Sequence, residues 1–398
     1  MRGPLRAASV VLFVVVLEPR AYSDAPPAAI AEPAWTWASE TLSPRVVDPQ
    51  ALTDSEAELQ RACGKGEAAL HVVAQRLVDR KIRGSPYLDA DGLEQAQRVA
   101  GSPHVWPRAF LLSGLAIDRE ATRQKLVTWS STFREPGERR CGVAIGFAGD
   151  GTEVVAAVAV DAAADISAVP VRARTGQWIP IEAKLLVPVT AARVVVMGPT
   201  GHPRAVPTEV LGDRVRSRFA PDQPGAFTIQ VVVDLANGPR PALEAMLFAD
   251  TQPWSQVPNL TAPGETATPL DPTDRATLLA MITALRASEH LHPLTGSTRL
   301  DAVAAAHAER MRSQRSVAHD VGDGDPTVRF EAVGVHAREC GENVAHAATL
   351  PLAHRALYAS PSHRANLLSP SFDRVGVGVV RDPDGSVWVA EEFAGGTD

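Results

Sequence analysis

A proline-rich segment, residues 253–272, is the feature that most constrains how this chain of 398 residues can fold. Its prolines are Pro253, Pro258, Pro263, Pro269 and Pro272. Proline fixes φ and removes a backbone donor, so neither a regular helix nor a paired strand can run through the segment. We therefore expect a linker between separate domains, in a chain that is long for one hydrophobic core.

Composition and charge limit the classes of partner. Apolar residues make up 45% of the chain and charged residues 21%, which is typical of globular proteins. The net charge of −7 and a pI of about 5.9 give no electrostatic basis for binding nucleic acid or an anionic membrane. We expect no nucleic-acid partner.

The N-terminus has the pattern of an export signal. Arg2 and Arg6 precede the apolar run Ala7–Leu17, and a small-x-small cleavage site ends residues 1–23. The run is too short to span a bilayer, which needs about 20 residues. A retained anchor or a buried strand is the alternative. The signal-peptide interpretation predicts a secreted protein, extracellular or in the periplasm or cell envelope, with no transmembrane segment.

After a leader at residues 24–52, residues 53–162 predict a helical α/β domain. Helical periodicity covers Thr53–Arg80, Leu88–Val99 and Ala109–Trp129, and a hairpin follows around Asp150-Gly151. Cys63 and Cys141 lie in this half, so they are the couple expected in an oxidising compartment, leaving Cys340 as a buried free thiol. The alternative is three free thiols.

Residues 163–252 alternate as strands do. The inward set of one strand is Val215, Ser217 and Phe219, and the outward set is Arg214, Arg216 and Arg218. Further runs of this kind are Ile181–Val187, Arg193–Met197, Phe227–Val233 and Ala242–Phe248. Short strands separated by turns predict a central immunoglobulin-like β-sandwich. We expect the arginine row to be a solvated sheet face, with a binding face as the alternative.

Residues 273–398 carry an ordered set of motifs. They are His292-Pro293-Leu294, Ala306-His307-Ala308, Ala318-His319, Arg329 with Gly334, Gly341-Glu342-Asn343, Ser360 to Leu368, and Val375-Gly376-Val377-Gly378. This set resembles the CAP superfamily, the family of cysteine-rich secretory proteins, antigen 5 and pathogenesis-related-1, in its bacterial form. The resemblance implies an α-β-α sandwich, so the whole chain is predicted to be an α+β multidomain protein.

The resemblance also implies a cleft that holds two histidines and an acid. By position these are His319, His363 and Glu342, and a second acid of eukaryotic members falls near Ser360. Two neutral imidazoles could hold Zn²⁺ weakly, so His319 and His363 are the candidate metal ligands; no cofactor is otherwise expected. Other histidines, His307, His336, His346 and His354, are expected at the surface.

Two functions follow from this cleft. The first is an extracellular binding or interaction module for a small molecule, lipid or protein. The second is a hydrolase, protease-like, in which His319 and His363 hold a metal or polarise substrate and Glu342 activates water. The serine in place of the second acid favours the non-enzymatic function.

The chain shows signs of an internal repeat when its sequence is aligned with itself in the register that places Arg140 on Arg374. The same displacement, called the repeat displacement below, places Asp150-Gly151 on Asp384-Gly385. Residues 53–162 are therefore predicted to be a degenerate copy of the C-terminal domain. In that alignment Ser85, Arg108 and Trp129 replace His319, Glu342 and His363.

Overall fold

The structure, a computed structural model, describes residues 34–255, 261–270 and 272–396. The predicted signal peptide lies outside these ranges. Within them, no helix combines the length and the apolar character needed to cross a membrane.

The end of the leader is ordered against the rest of the chain. It contains strand β1 (Glu40–Thr41) and a short 3-10 helix (Pro49–Ala51). Trp37 donates from Nε1 to the Trp254 carbonyl at 2.8 Å and packs edge-on against Phe248. The leader is therefore held in place by residues from a distant part of the chain.

The first α/β unit, residues 53–162, contains four helices and four strands. In chain order they are α1 (Asp54–Cys63), β2 (Lys65–Gly66), α2 (Ala68–Ile82), α3 (Ala90–Val99), β3 (Arg108–Gly114), α4 (Arg119–Ser130), β4 (Glu138–Phe147) and β5 (Glu153–Ala162). The strands form one sheet in the order β2-β4-β5-β3. A capping box starts α1, because the Thr53 hydroxyl accepts from Glu56 N–H while Glu56 accepts from Thr53 N–H.

The helix predicted over Ala109–Trp129 is wrong in its first part. Residues 108–114 are strand β3, which pairs antiparallel with β5. Phe110, Leu111 and Leu112 are consecutive apolar residues, and periodicity cannot assign so short a run to a helix or a strand. The segment is a strand because it pairs with the edge of β5.

The disulfide expectation is confirmed. Cys63 and Cys141 form a disulfide with a Cα–Cα distance of 5.9 Å, which joins α1 to β4. Cys340 is free and half-buried.

Residues 163–252 contain the strands of a two-layer β-sandwich. They are β6 (Ala164–Ile166), β7 (Val169–Pro170), β8 (Arg172–Ala173), β9 (Ile179–Leu185), β10 (Ala191–Met197), β11 (Arg204–Val206), β12 (Thr208–Leu211), β13 (Arg214–Phe219), β14 (Gly225–Leu235) and β15 (Gly238–Ala249). The sheets have the orders β12-β13-β9-β6 and β11-β10-β14-β15-β8, and β1 of the leader pairs with β7. One core joins both layers, with Ile181 and Val215 facing Ile229 and Leu243. The predicted alternation is confirmed, since Val215 and Phe219 are buried and the three arginines of β13 are exposed.

The described part of the proline-rich segment has neither helix nor strand, as proline requires. It nevertheless packs against the C-terminal unit. Glu265 forms an ion pair with Arg355, and the Pro263 carbonyl lies 3.0 Å from His354 Nε2.

The C-terminal α/β unit has helices on both faces of one sheet. Its elements are α5 (Asp274–Ser288), β16 (Thr295–Gly296), α6 (Thr298–Gln314), α7 (Pro326–Ala332), β17 (Glu339–Ala347), α8 (Leu350–Ala359), α9 (Pro361–Leu367), β18 (Arg374–Arg381) and β19 (Val387–Gly395). Residues of α5, α8 and α9 share a core with Val375, Val377 and Phe393, while α6 packs on Trp388 and Ala390. Alternate strand residues thus serve opposite faces, giving the predicted three α-β-α layers.

The sheets of the two α/β units have matching strand orders. In the C-terminal unit the order is β16-β18-β19-β17. In each unit a two-residue strand lies parallel to the penultimate strand, the last two strands form a hairpin, and the remaining strand lies antiparallel to the last. Arg140 pairs with Val160 and Arg374 with Ala394, so both hairpins keep the repeat displacement.

Candidate functional site

The residues predicted for the cleft come from three segments of the C-terminal unit. His319 follows α6, Glu342 lies on β17 and His363 on α9. His319 Nδ1 is 2.6 Å from Glu342 Oε1. The structure therefore brings the first histidine and the acid into direct contact.

Glu342 is the centre of a buried charged cluster. It lies directly opposite Glu392 on β19, and the Arg329 guanidinium of α7 donates to both carboxylates, at 3.2 Å for Glu392. Burial raises the pKa of Glu342 to about 7 against the opposing effect of Arg329. Burial and the neighbouring Glu342 raise the pKa of Glu392 well above its usual range. Like charges so close and so dry disfavour double ionisation.

The surface prediction for His307 is wrong. Its ring is fully buried, with Nδ1 2.8 Å from Asp323 Oδ2, Nε2 3.0 Å from the Ala318 carbonyl, and Nε2 3.6 Å from Glu342 Oε2. The spacing from Ala304 to His307 to Met311 places His307 on the buried face of α6, and this helical period is the signal that could have found it.

His354 is also buried rather than at the surface, and it meets the Pro263 carbonyl. The prediction missed this because the contact comes from the proline-rich segment. His336 and His346 are exposed, as expected.

His363 is half-buried beside the first histidine. Burial, and then the neighbouring His319, lower the pKa of His363 to about 3, while burial lowers the pKa of His319 to about 4. Both imidazoles are therefore neutral near pH 7. A neutral ring keeps one nitrogen lone pair available as an acceptor or metal ligand.

Two asparagines hold the α9 segment against β17. Asn366 Nδ2 donates to the Glu342 carbonyl at 3.0 Å and to Asn343 Oδ1 at 2.9 Å. Asn343 Nδ2 donates to the His363 carbonyl at 3.1 Å and to Glu391 Oε2 at 2.9 Å. Asn366 thus fixes the α9 segment by hydrogen bonds, and the Asn343 side chain of β17 holds the backbone of His363 in place.

Glu391 is fully buried on β19. Burial raises its pKa to about 7, although Asn343 donates to it. Its Oε1 has no hydrogen-bond partner among the described residues. The position therefore suits a neutral side chain better than a carboxylate.

The β-sandwich contacts the segments that carry His319 and His363. Gln230 Nε2 is 3.3 Å from Ser360 Oγ, and Gln230 Oε1 accepts from Ser362 N–H at 3.1 Å. Asp320 N–H donates to the Asn237 carbonyl at 3.1 Å. The His319 side chain is 12% exposed.

No group of three or more His, Cys, Asp or Glu side chains could hold a metal ion anywhere in the described parts of the chain. Protein zinc sites normally have three or four protein ligands. His319 and His363 would therefore fit zinc only as a two-nitrogen site completed by water.

Residues 279–391 match the family model described as CAP, the cysteine-rich secretory protein family. A curated relative is the uncharacterised protein YkwD of Bacillus subtilis (strain 168), 29% identical over 120 residues, which are 30% of this chain and 46% of that protein. The chain thus spans about half the length of the curated relative it matches.

Solved structures that are similar to this chain include two from bacteria. An outer surface protein of Borrelia burgdorferi is 22% identical with a TM-score of 0.29, over 33% of this chain and 98% of its own. An extracellular protein with an SCP domain from Bacillus anthracis str. Ames is 16% identical with a TM-score of 0.28, over 68% of this chain and 91% of its own.

Proposed function

Residues 279–391 are a CAP domain of the cysteine-rich secretory protein family, and from that premise we propose that the protein is an extracellular binding module. The ligand-facing groups are the two neutral imidazoles of His319 and His363. Glu342 orients His319 from beneath. The ligand class is a small molecule, a lipid or a protein outside the cytoplasm, reached after export by the signal peptide.

The observation that carries this proposal is the engagement of both Glu342 oxygens. Oε1 meets the His319 ring and Oε2 meets Arg329. A general base needs an oxygen directed at water or substrate. Glu342 therefore serves better as an anchor than as a base, which favours binding over the hydrolase alternative.

Zinc is the probe that tests the two imidazoles. We expect isothermal titration of the mature protein with Zn²⁺ to show one weak site, because two nitrogens supply half of a tetrahedral shell. His363→Ala should weaken this binding at least about tenfold, equivalent to about 1.4 kcal/mol.

His336→Ala is the matched control, because His336 is an exposed histidine of the same domain. It should bind Zn²⁺ as the wild type does. Equal affinities of the wild type and His363→Ala would remove the paired-imidazole site. Hydrolysis of a peptide or ester that disappears in Glu342→Gln would show that the enzyme alternative is the right one.

The second part of the proposal concerns the first α/β unit: residues 53–162 are a degenerate copy of the CAP domain. Shared element order and strand order support this. Close approaches of helix to strand support it further. A Cβ on Gly142 would collide with the α2 backbone at Leu70, and a Cβ on Gly376 with the α6 backbone at Leu300. Only glycine permits such an approach, and the two glycines are related by the repeat displacement.

The strand register changes one correspondence of the predicted repeat. The repeat displacement carries Val158 onto Glu392, and Val158 pairs with Ala109. Ala109, rather than Arg108, therefore stands at the position of Glu342. A copy with Ala109 there lacks the charged cluster, so we assign it a scaffolding or partner-binding role.

We also propose the domain limits 53–162, 163–252 and 273–398, with an immunoglobulin-like fold for the central domain. Its two layers share one core, which supports that fold class. Limited proteolysis that cuts within 253–272 and leaves two stable fragments would agree with the limit between the central and the C-terminal domain.

A further inference from the structure

The turn between β14 and β15 lies directly on His319. Gly238 begins β15 with φ of 105°, and a Cβ there would lie 2.5 Å from the His319 Cβ. The preceding residue, Asn237, accepts from Asp320 N–H through its carbonyl at 3.1 Å. The backbone of the sandwich therefore touches the cleft at the residue after His319 as well as at His319 itself.

A second set of contacts lies on the α9 side. Gln230 is buried between Ser360, Ser362 and the sandwich's own Glu244, whose Oε2 is 3.0 Å from Gln230 Nε2. Arg364 Nη1 lies 3.3 Å from Met197 Sδ on β10. The sandwich thus contacts the segments that carry both histidines of the cleft.

These contacts suit a separable interface. They are polar or backbone contacts, and within the described residues no hydrophobic cluster joins the sandwich to the C-terminal unit. Interfaces between domains that lack a large apolar core permit relative motion.

We propose that the β14–β15 turn is an intramolecular cap on the CAP cleft, which occupies the place of an external ligand until the sandwich lifts away. This inference takes the identity of the cleft from the proposed function, but not its zinc or ligand binding. In the docked arrangement His319 and His363 are shielded. A ligand competes with the sandwich and binds with an affinity reduced by the cost of undocking.

Covalent labelling of histidines with diethyl pyrocarbonate, read by mass spectrometry, tests the cap on the full mature chain at pH 7. In the wild type we expect His319 to react more slowly than the exposed His336. Gly238→Ala should speed labelling of His319 about tenfold, because its new methyl group collides with the His319 side chain; tenfold corresponds to about 1.4 kcal/mol of docking free energy.

Gly201→Ala is the matched control. Gly201 lies in the same sandwich with φ of 84°, and a Cβ there meets nothing within 4 Å. It carries the same backbone strain without the collision, so labelling of His319 should match the wild type. Gln230→Ala is a second variant that weakens docking of the sandwich, since it removes the contacts to Ser360 and Ser362 without backbone strain. It should speed labelling of His319 several-fold.

The labelling rates of His319 decide whether the cap exists. The cap is wrong if wild-type His319 reacts as fast as His336. It is equally wrong if neither Gly238→Ala nor Gln230→Ala labels faster than Gly201→Ala. If Gly238→Ala does not fold, Gln230→Ala decides alone. Labelling uses no ligand, so failure of the zinc titration with faster labelling of the variants would overturn the proposed binding site and leave the cap standing.

Discussion

In the C-terminal unit the paired strand positions 342 and 392 carry two buried glutamates, whereas the corresponding pair in the first unit is Ala109 and Val158. Arg329 donates to both glutamates, and His307 Nε2 lies 3.6 Å from Glu342 Oε2. The same strand pair therefore carries a buried charged cluster in one unit and two apolar residues, of which Ala109 is exposed, in the other.

In the first unit Val158 packs against α2 with Leu70 and Val73, and aromatic packing lies on the opposite face of the sheet. Trp129 lies on α4, with ring centroids 5.8 Å from Phe110 and 5.0 Å from Phe133. Arg108 and Arg139 cover the Phe133 ring at 4.6 and 4.1 Å. The disulfide between α1 and β4 adds a covalent link.

Buried charges need partners for every ionised group, because an unpaired charge in a dry site is strongly unfavourable. Glu342 and Glu392 share Arg329 as such a partner, whereas Ala109 and Val158 need none. Removing one stabilising contact at a time tests this difference between the two units.

Arg329→Ala should give the largest effect. It leaves Glu342 and Glu392 buried without their shared cation, so we expect a loss of about 3–5 kcal/mol in the free energy of unfolding of the C-terminal unit. Urea unfolding, with hydrogen exchange of β17 and β19 to locate the change, measures it. Arg108→Ala is the control in the first unit; it removes an exposed contact to Phe133 and should cost less than about 1 kcal/mol. Similar losses for both variants would contradict the difference between the units.

The double variant Cys63→Ala, Cys141→Ala should come next. Removing a native disulfide costs about 2–4 kcal/mol, and here the loss should appear in hydrogen exchange of α2 and β4 but not of α6 and β18. Cys340→Ala, at the half-buried free thiol, should stay within about 0.5 kcal/mol of wild type. Equal loss of protection in both units would mean that the disulfide stabilises the whole chain rather than the first unit.

Glu391→Gln should stabilise the C-terminal unit in a pH-dependent way. The folded pKa of Glu391, about 7, lies above the unfolded value of 4.5. Its contribution is therefore fully present below about pH 4.5 and is lost as the pH rises through 7. Glutamine does not titrate, so the free energy of unfolding of the variant should exceed that of wild type by about 3 kcal/mol at pH 8 and match it at pH 4.

Urea unfolding at a series of pH values, followed by hydrogen exchange of β19, checks this prediction. The first unit supplies the comparison, because the repeat displacement carries Ala157 onto Glu391, and Ala157 pairs with Phe110. Protection of Ala157 should not change between wild type and variant. Parallel stability curves for the two proteins would mean that Glu391 is not neutral when buried.

The sequence predicted much of the secondary structure because the signals are local. The alternation on β13 and the Asp-Gly turns of both hairpins depend on neighbouring residues alone. Strand β3 was missed because its apolar run fits a helix as well as a strand. It is a strand because it pairs with β5, which follows α4 and β4 in the chain.

The candidate site was predicted in part. Family motifs indicated His319, Glu342 and His363, and the structure places Glu342 against His319. Arg329 belongs to the motif set, but its contacts with both glutamates were not predicted, and Glu392 was not singled out, because these roles arise from strand pairing and from the position of α7. No sequence motif predicts such a contact.

Residue type and spacing were enough to indicate the CAP domain, the alternating strands and the common displacement of the two hairpins. The tertiary structure was needed to decide between a Cys63–Cys141 disulfide and free thiols, and to show that His307 and His354 are buried. The contact between Gln230 and Ser360 joins residues 130 positions apart. Burial and pKa depend on such distant neighbours, whose positions no local pattern encodes.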